Sequence, residues 1–260
     1  MAISSETGSP GDLCIYKDAE ELARAGAQLF VDEAATAIRA GGRFRVALSG
    51  GSTPRRVYEL LATPAFSRRV DWTQVDLFWG DERYVPADAQ DSNYRMTAQA
   101  LLDPIRVPPT SVHRVPTELS PPEAAAGAYE AEIRKVFRES VSVPQFDLIY
   151  LGLGTNGHTA SLFPHSPWLH EKSRLVFADL VVEVNAWRIS MSLPLLNHGR
   201  TVAFLIEGEQ KAQVLHDVLL GPRDPERLPA QLISPQGTLL WLVDAAAAAL
   251  VPRAGERRSA

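Results

Sequence analysis

The strongest constraint on the fold is an alternation. Short apolar runs with strand character recur along the chain, at LCIY, RFRVALS, VDLFW, FDLIYLGL, RLVFADL, RISMSL, TVAFLI and TLLWLV, and helical patterns lie between them. Several runs are apolar at nearly every position, as a strand covered on both faces must be. Helices are expected over Ala19–Ala40, stopped by Gly41-Gly42, over Ala124–Glu139, with Tyr129, Ile133, Val136 and Phe137 on one stripe, and over Glu209–Leu220, stopped by Gly221-Pro222. Repeated strand–helix–strand units predict an α/β fold with a mostly parallel, Rossmann-like sheet and helices on both faces. Such sheets bind ligands at the carboxyl ends of their strands, so the residues just after each strand carry the functional information.

The 260 residues suit one domain, 1–260, with frayed tails over about 1–10 and 252–260. A net charge of −5 with no basic stripe excludes an ordinary nucleic-acid binder. Cys14 is the single cysteine, so no internal disulfide is possible and a reducing compartment fits. The start, MAISSETGSPGDL, has neither the basic nor the apolar region of a signal peptide, and no apolar run approaches the ~18 residues of a membrane span. A cytoplasmic protein without membrane partners is expected.

Four strand ends carry chemistry. After the strand ending at Leu48 come Ser49, Gly50, Gly51, Ser52, Thr53 and Pro54. Pro54 suits a first helical position, and Ser52 or Thr53 the cap before it. Glycines that let a ligand approach, hydroxyls and free N–H groups at a helix start make an anion site, most naturally for phosphate. No Walker pattern is present. After VDLFW and Gly80 come Asp81, Glu82 and Arg83, read as a charged loop at the mouth of a site, with Asp91 and Ser92 as helix caps. After FDLIYL, the glycines of GLGTNGH match G-x-G-x-x-G, but Pro164 and Pro167 interrupt the helix that a dinucleotide turn needs. Gly154 and Gly157 read instead as a tight turn that lifts His158 above the sheet. Finally, Arg188 opens RISMSL and Lys211 sits in the first turn of the last helix, where a cation is unfavourable unless an anion is close. The six histidines show no metal-site spacing, and there is no G-x-S-x-G elbow, so neither a metal nor a serine nucleophile is expected.

SGGSTP, FWGDERYVP followed by DSNY, and GLGTNGHTASLFP occur in this order and together resemble the 6-phosphogluconolactonase family over nearly the whole chain. The resemblance implies a three-layer α/β/α sandwich, shared with glucosamine-6-phosphate deaminase and ribose-5-phosphate isomerase A. It also implies hydrolysis of 6-phospho-D-glucono-1,5-lactone without cofactor or metal, by a protein expected to be a monomer or weak homodimer. By position, His158 resembles the family's catalytic histidine. Ser49, Gly50, Gly51, Ser52, Thr53, Arg188 and Lys211 resemble its phosphate-binding group, and Asp81 and Arg83 its charged site residues.

Three positions bear on that resemblance. Asn156 stands where the family commonly has aspartate, so it can hold the loop by hydrogen bonds but supplies no charge. His165 stands where glycine is frequent, a difference expected to matter little. Phe163 occupies the place of the glutamate in the deaminase pattern, which favours the lactonase over the amino-sugar enzyme. Arg83 and backbone N–H groups near Gly157 are alternative donors to a developing oxyanion.

Overall fold

The computed structural model describes residues 11–105, 107–138 and 142–252. Residues 1–10 and 253–260, which hold most of the expected tails, and Glu139, the expected end of a helix, lie outside the described residues.

Six strands form one parallel sheet in the order β1-β9-β8-β5-β2-β3. They are β1 (Asp12–Tyr16), β2 (Phe44–Leu48), β3 (Val75–Trp79), β5 (Leu148–Leu151), β8 (Thr201–Ile206) and β9 (Thr238–Asp244). Alternate side chains feed two separate cores. Val46, Leu48, Leu148, Tyr150, Ala203 and Leu205 face helices α1 (Ala19–Gly41) and α2 (Ser52–Ala62). Ala47, Ile149, Leu151, Val202, Phe204 and Trp241 face α4 (Pro122–Phe137) and α5 (Ala212–Leu220). Burial on both faces explains why these strands read as unbroken apolar runs. The result is the expected three-layer α/β/α sandwich.

The helix ends follow local chemistry. Asp18 caps α1 by accepting from the N–H groups of Glu20 and Glu21 at 3.1 and 2.9 Å. Gly42 ends it in the left-handed region at φ 76°, its N–H donating to the Ile38 carbonyl. Among the described residues, no helix is long and apolar enough to cross a membrane.

RLVFADL and RISMSL do not join the parallel sheet. They form the antiparallel hairpin β6 (Val176–Val181) and β7 (Ala186–Met191) of a separate three-stranded sheet, ordered β4-β7-β6. The physical reason is the connection. Only residues 182–185 separate the two strands, too few for the crossover that parallel pairing requires. The third strand, β4 (Asp81–Arg83), is the segment expected to be a charged loop. It pairs Asp81 with Ser190 and Arg83 with Arg188.

Candidate active site

At the carboxyl ends of β2, β5 and β8, with β4 along one side, a cavity of about 370 Å³ opens. Ser49, Gly50, Gly51, Ser52 and Thr53 line it, together with Asp81, Arg83, Gly154, His158 and Lys211. Arg188, Asn156 and Gly157 do not reach its wall.

The loop after β2 is clipped from beneath. The buried Tyr58 hydroxyl accepts from Ser49 N–H at 3.0 Å and donates to Ser49 C=O at 2.9 Å. Helix α2 begins at Ser52, earlier than expected, so Pro54 is its third residue. Gly51 precedes it at φ 112°, a conformation closed to ordinary side chains, and no side chain caps the helix. The N–H groups of its first turn are therefore left for a ligand. Asn93, at the start of α3 (Asn93–Thr97), presses against this loop, and a Cβ on Gly50 would lie 1.9 Å from Asn93 Oδ1.

The charged triplet divides its labour. Glu82 is buried and braces the start of α3, accepting from the N–H groups of Asn93 and Tyr94 and the Ser92 hydroxyl. Ser92 itself caps α3, as expected. Asp81 faces the cavity and accepts from Ser161 Oγ at 2.7 Å. Arg83 also faces the cavity, with Nη1 donating to the Asp91 carbonyl.

His158 sits between polar and apolar walls. Its Nδ1 lies 2.6 Å from Asn156 Oδ1, which also accepts the His158 backbone N–H at 3.2 Å. Its ring stacks on Phe163. Burial lowers its pKa to about 4, with Asp81 opposing the shift and Lys211, Arg188 and Arg83 adding to it. The imidazole is thus neutral at pH 7. Asn156 Oδ1 accepts from Nδ1–H, which leaves the Nε2 lone pair without a partner among the described residues. The close turn below needs glycine, since a Cβ on Gly154 would fall 2.1 Å from His158 Nδ1. Gly157 N–H donates to the Gly154 carbonyl at 3.0 Å, so it and the His158 N–H are committed within the loop.

Arg83, Lys211 and Arg188 gather around the site, with Asp81 and Glu207 as the acids on the cavity wall. Arg188 stands opposite Arg83 across β4 and β7, with its Nε and Nη1 buried and unpartnered. Burial, and then Arg83, lower the Arg188 pKa, and burial lowers that of Lys211. Asp81, Glu82 and Asp91 offset the shift of Arg188 only in part, and among the described residues no charged group offsets that of Lys211. Glu207, just after β8, is the second acid on the cavity wall, after Asp81. Its Oε1 accepts from Ser52 Oγ at 3.3 Å, and its Oε2 is buried without a partner. Glu207 and Asn93 line this cavity and Phe163 stacks on His158; of the three, Glu207 is the one that the sequence patterns did not point to. An acidic residue directly after a buried strand was the available signal for Glu207.

Residues 17–241 match the family described as glucosamine-6-phosphate isomerases/6-phosphogluconolactonase. This chain belongs to that family. A 6-phosphogluconolactonase of Synechocystis is 43% identical over 209 residues, covering 80% of this chain and 85% of the relative. The human 6-phosphogluconolactonase is 37% identical, covering 96% of this chain and 98% of the relative. A solved 6-phosphogluconolactonase from Trypanosoma cruzi superposes with a TM-score of 0.83 at 27% identity, covering 96% of this chain and all of the other. In this chain, His165 adopts φ 60°, the left-handed region that glycine enters without strain.

Proposed function

We propose that this chain hydrolyses 6-phospho-D-glucono-1,5-lactone to 6-phosphogluconate in the cytoplasm, with His158 as general base. The observation that carries this function is one cavity lined at once by the Ser49–Thr53 loop, Lys211 and a neutral His158 whose Nε2 is free. The substrate's phosphate docks on the open helix start beside Lys211, and Arg188, behind the cavity wall, adds to the positive field. Remote binding energy of this kind orients the lactone carbonyl at the far end of the cavity.

Nε2 then takes a proton from a water as its oxygen bonds to C1. Arg83 donates to the oxyanion that forms. Collapse of the tetrahedral intermediate breaks the bond from C1 to the ring oxygen, and the imidazolium returns its proton to that oxygen. The sum is one water added and one ester bond lost. General-base catalysis contributes about 10²–10⁴-fold. Asp81, held by Ser161, stabilises the transient imidazolium. Phe163 offers no proton, which disfavours the amino-sugar chemistry of the same family.

The test follows lactone decay in real time, with the lactone generated fresh from glucose 6-phosphate, for wild type, His158→Ala and buffer. Decay accelerated by wild type alone supports the assignment. Wild type no faster than buffer removes the lactonase, and an active His158→Ala removes the general base.

A further inference from the structure

Asn156 has a second partner. Its Nδ2 donates to Glu183 Oε2 at 2.8 Å. Glu183 lies in the turn Val182–Val184 that closes the β6–β7 hairpin, a segment remote in sequence from the histidine loop. A continuous chain therefore runs from the Glu183 carboxylate through the Asn156 amide to His158 Nδ1.

The chain matters because an amide has two unlike ends of nearly the same shape. With Oδ1 towards the ring, Nδ1 must carry the hydrogen and Nε2 is a base. With the amide turned over, Nδ2 would donate to Nδ1. The hydrogen would then sit on Nε2, and the cavity would face a donor where it needs an acceptor. A carboxylate accepts only, so Glu183 can face Nδ2 and never Oδ1. The His158 backbone N–H favours the same orientation. Glu183 adds the contact that carries a full charge. It also extends the dipole of the amide towards the imidazolium that forms during turnover. No other described contact engages Nδ2.

We propose that Glu183 is a positioning residue of the active site, which fixes the Asn156 amide and through it the base-competent tautomer of His158. The proposal rests on the general-base role given above. It predicts a dependence between two positions. An aspartate at 156 presents an acceptor to Nδ1 from either oxygen and needs no orienting partner. Beside Glu183, however, it would set two carboxylates in contact, where ionising both is unfavourable.

The experiment compares wild type, Glu183→Ala, Asn156→Asp and the double variant. The readouts are kcat and KM for the lactone, and the ¹⁵N chemical shifts of the His158 ring in the ligand-free protein, assigned against His158→Gln. Glu183 is exposed on a hairpin, and a melting curve for each variant verifies the fold. Glu183→Ala is expected to lose about 3–10-fold in kcat with KM within about twofold, as removal of a solvent-exposed hydrogen bond to a charged group implies. Its ring nitrogens shift towards the Nε2–H form. The double variant is expected to exceed Asn156→Asp alone in kcat. Wild-type kcat and unchanged ring shifts in Glu183→Ala overturn the proposal, as does a double variant no better than Asn156→Asp. The ring shifts still decide it if wild type proves inactive on the lactone, an outcome that overturns only the proposed reaction.

Discussion

The imidazole of His158 lies flat on the ring of Phe163, with centroids 4.2 Å apart and planes 15° from parallel. The stack screens one face of the imidazole from water, and burial is the main reason its pKa falls to about 4. The base-competent neutral form therefore persists well below the ordinary His range. The acid limb of kcat/KM is expected below pH 6.5 in wild type, and Phe163→Ala is expected to move it upwards by restoring solvent. The substrate phosphate titrates near pH 6, about equally for both enzymes, so the shift between their profiles is the quantity to measure.

The same depressed pKa links folding to acid. In the unfolded chain His158 titrates near 6.5 and in the folded chain near 4, so the unfolded state binds the proton first. Its contribution is fully present above pH 6.5, is lost as pH falls, and is gone below about 4, to a total of about 3 kcal/mol. Urea unfolding of wild type and His158→Gln at pH 7.5 and 4.5 measures it. The stability gap between the two proteins should move in favour of the variant at the lower pH. A pH-independent gap would mean that the histidine is solvated.

Arg188 and Arg83 face each other across β4 and β7, a pairing of like charges that a sheet does not favour. Nε and Nη1 of Arg188 are also without hydrogen bonds, and the acids that offset its charge are Asp81, Glu82 and Asp91. Arg188→Met keeps the stem and removes the charge. The ligand-free variant should melt no lower than wild type, because no bond is lost. Its KM for a phosphorylated substrate should rise about 3–10-fold, the worth of a nearby partly buried charge that acts through the field without a direct bond, and inorganic phosphate should raise its melting temperature less than that of wild type.

Much of this architecture was legible because it is local. Strands buried on both faces announce themselves as apolar runs, and glycine and histidine after such a strand announce a loop at the sheet's active edge. The parallel sheet and the gathering of Ser49–Thr53, Asp81, Arg83, His158 and Lys211 follow from that rule. What escaped depends on distance in sequence. β6 and β7 resemble parallel-sheet strands in composition, and only their four-residue connection marks the hairpin. Asp81–Arg83 reads as a loop because its pairing partner is β7, some hundred residues later. Glu183 meets Asn156 only through that same hairpin, and no pattern within GLGTNGH points to it. The hydroxyls expected to cap α2 were displaced because Gly51, in its left-handed conformation, starts the helix at Ser52.

Two tyrosines hold the strand ends from which the site is built. Tyr129 Oη accepts from Trp79 N–H at 2.8 Å and donates to Trp79 C=O at 2.9 Å, just before Gly80 and Asp81. Tyr58 makes the same pair of bonds to Ser49 at the end of β2. Both hydroxyls are fully buried, and burial raises both pKa values, so each stays protonated and can donate. In Tyr58→Phe the ring still fills its space, while the N–H and C=O of Ser49 lose their partner. Leaving buried backbone groups unpaired costs about 1–3 kcal/mol, or roughly 2–4 °C of melting temperature per kcal/mol in a chain of this size. The loop proposed to cradle the phosphate also loses its anchor, so KM should rise while kcat changes little. Tyr129→Phe loosens β3 beside the charged residues instead and should lower kcat more than it raises KM. Thermal melts with kcat and KM for the two variants separate these effects. Identical kinetic signatures in both would show that the tyrosines stabilise the fold without positioning either half of the site.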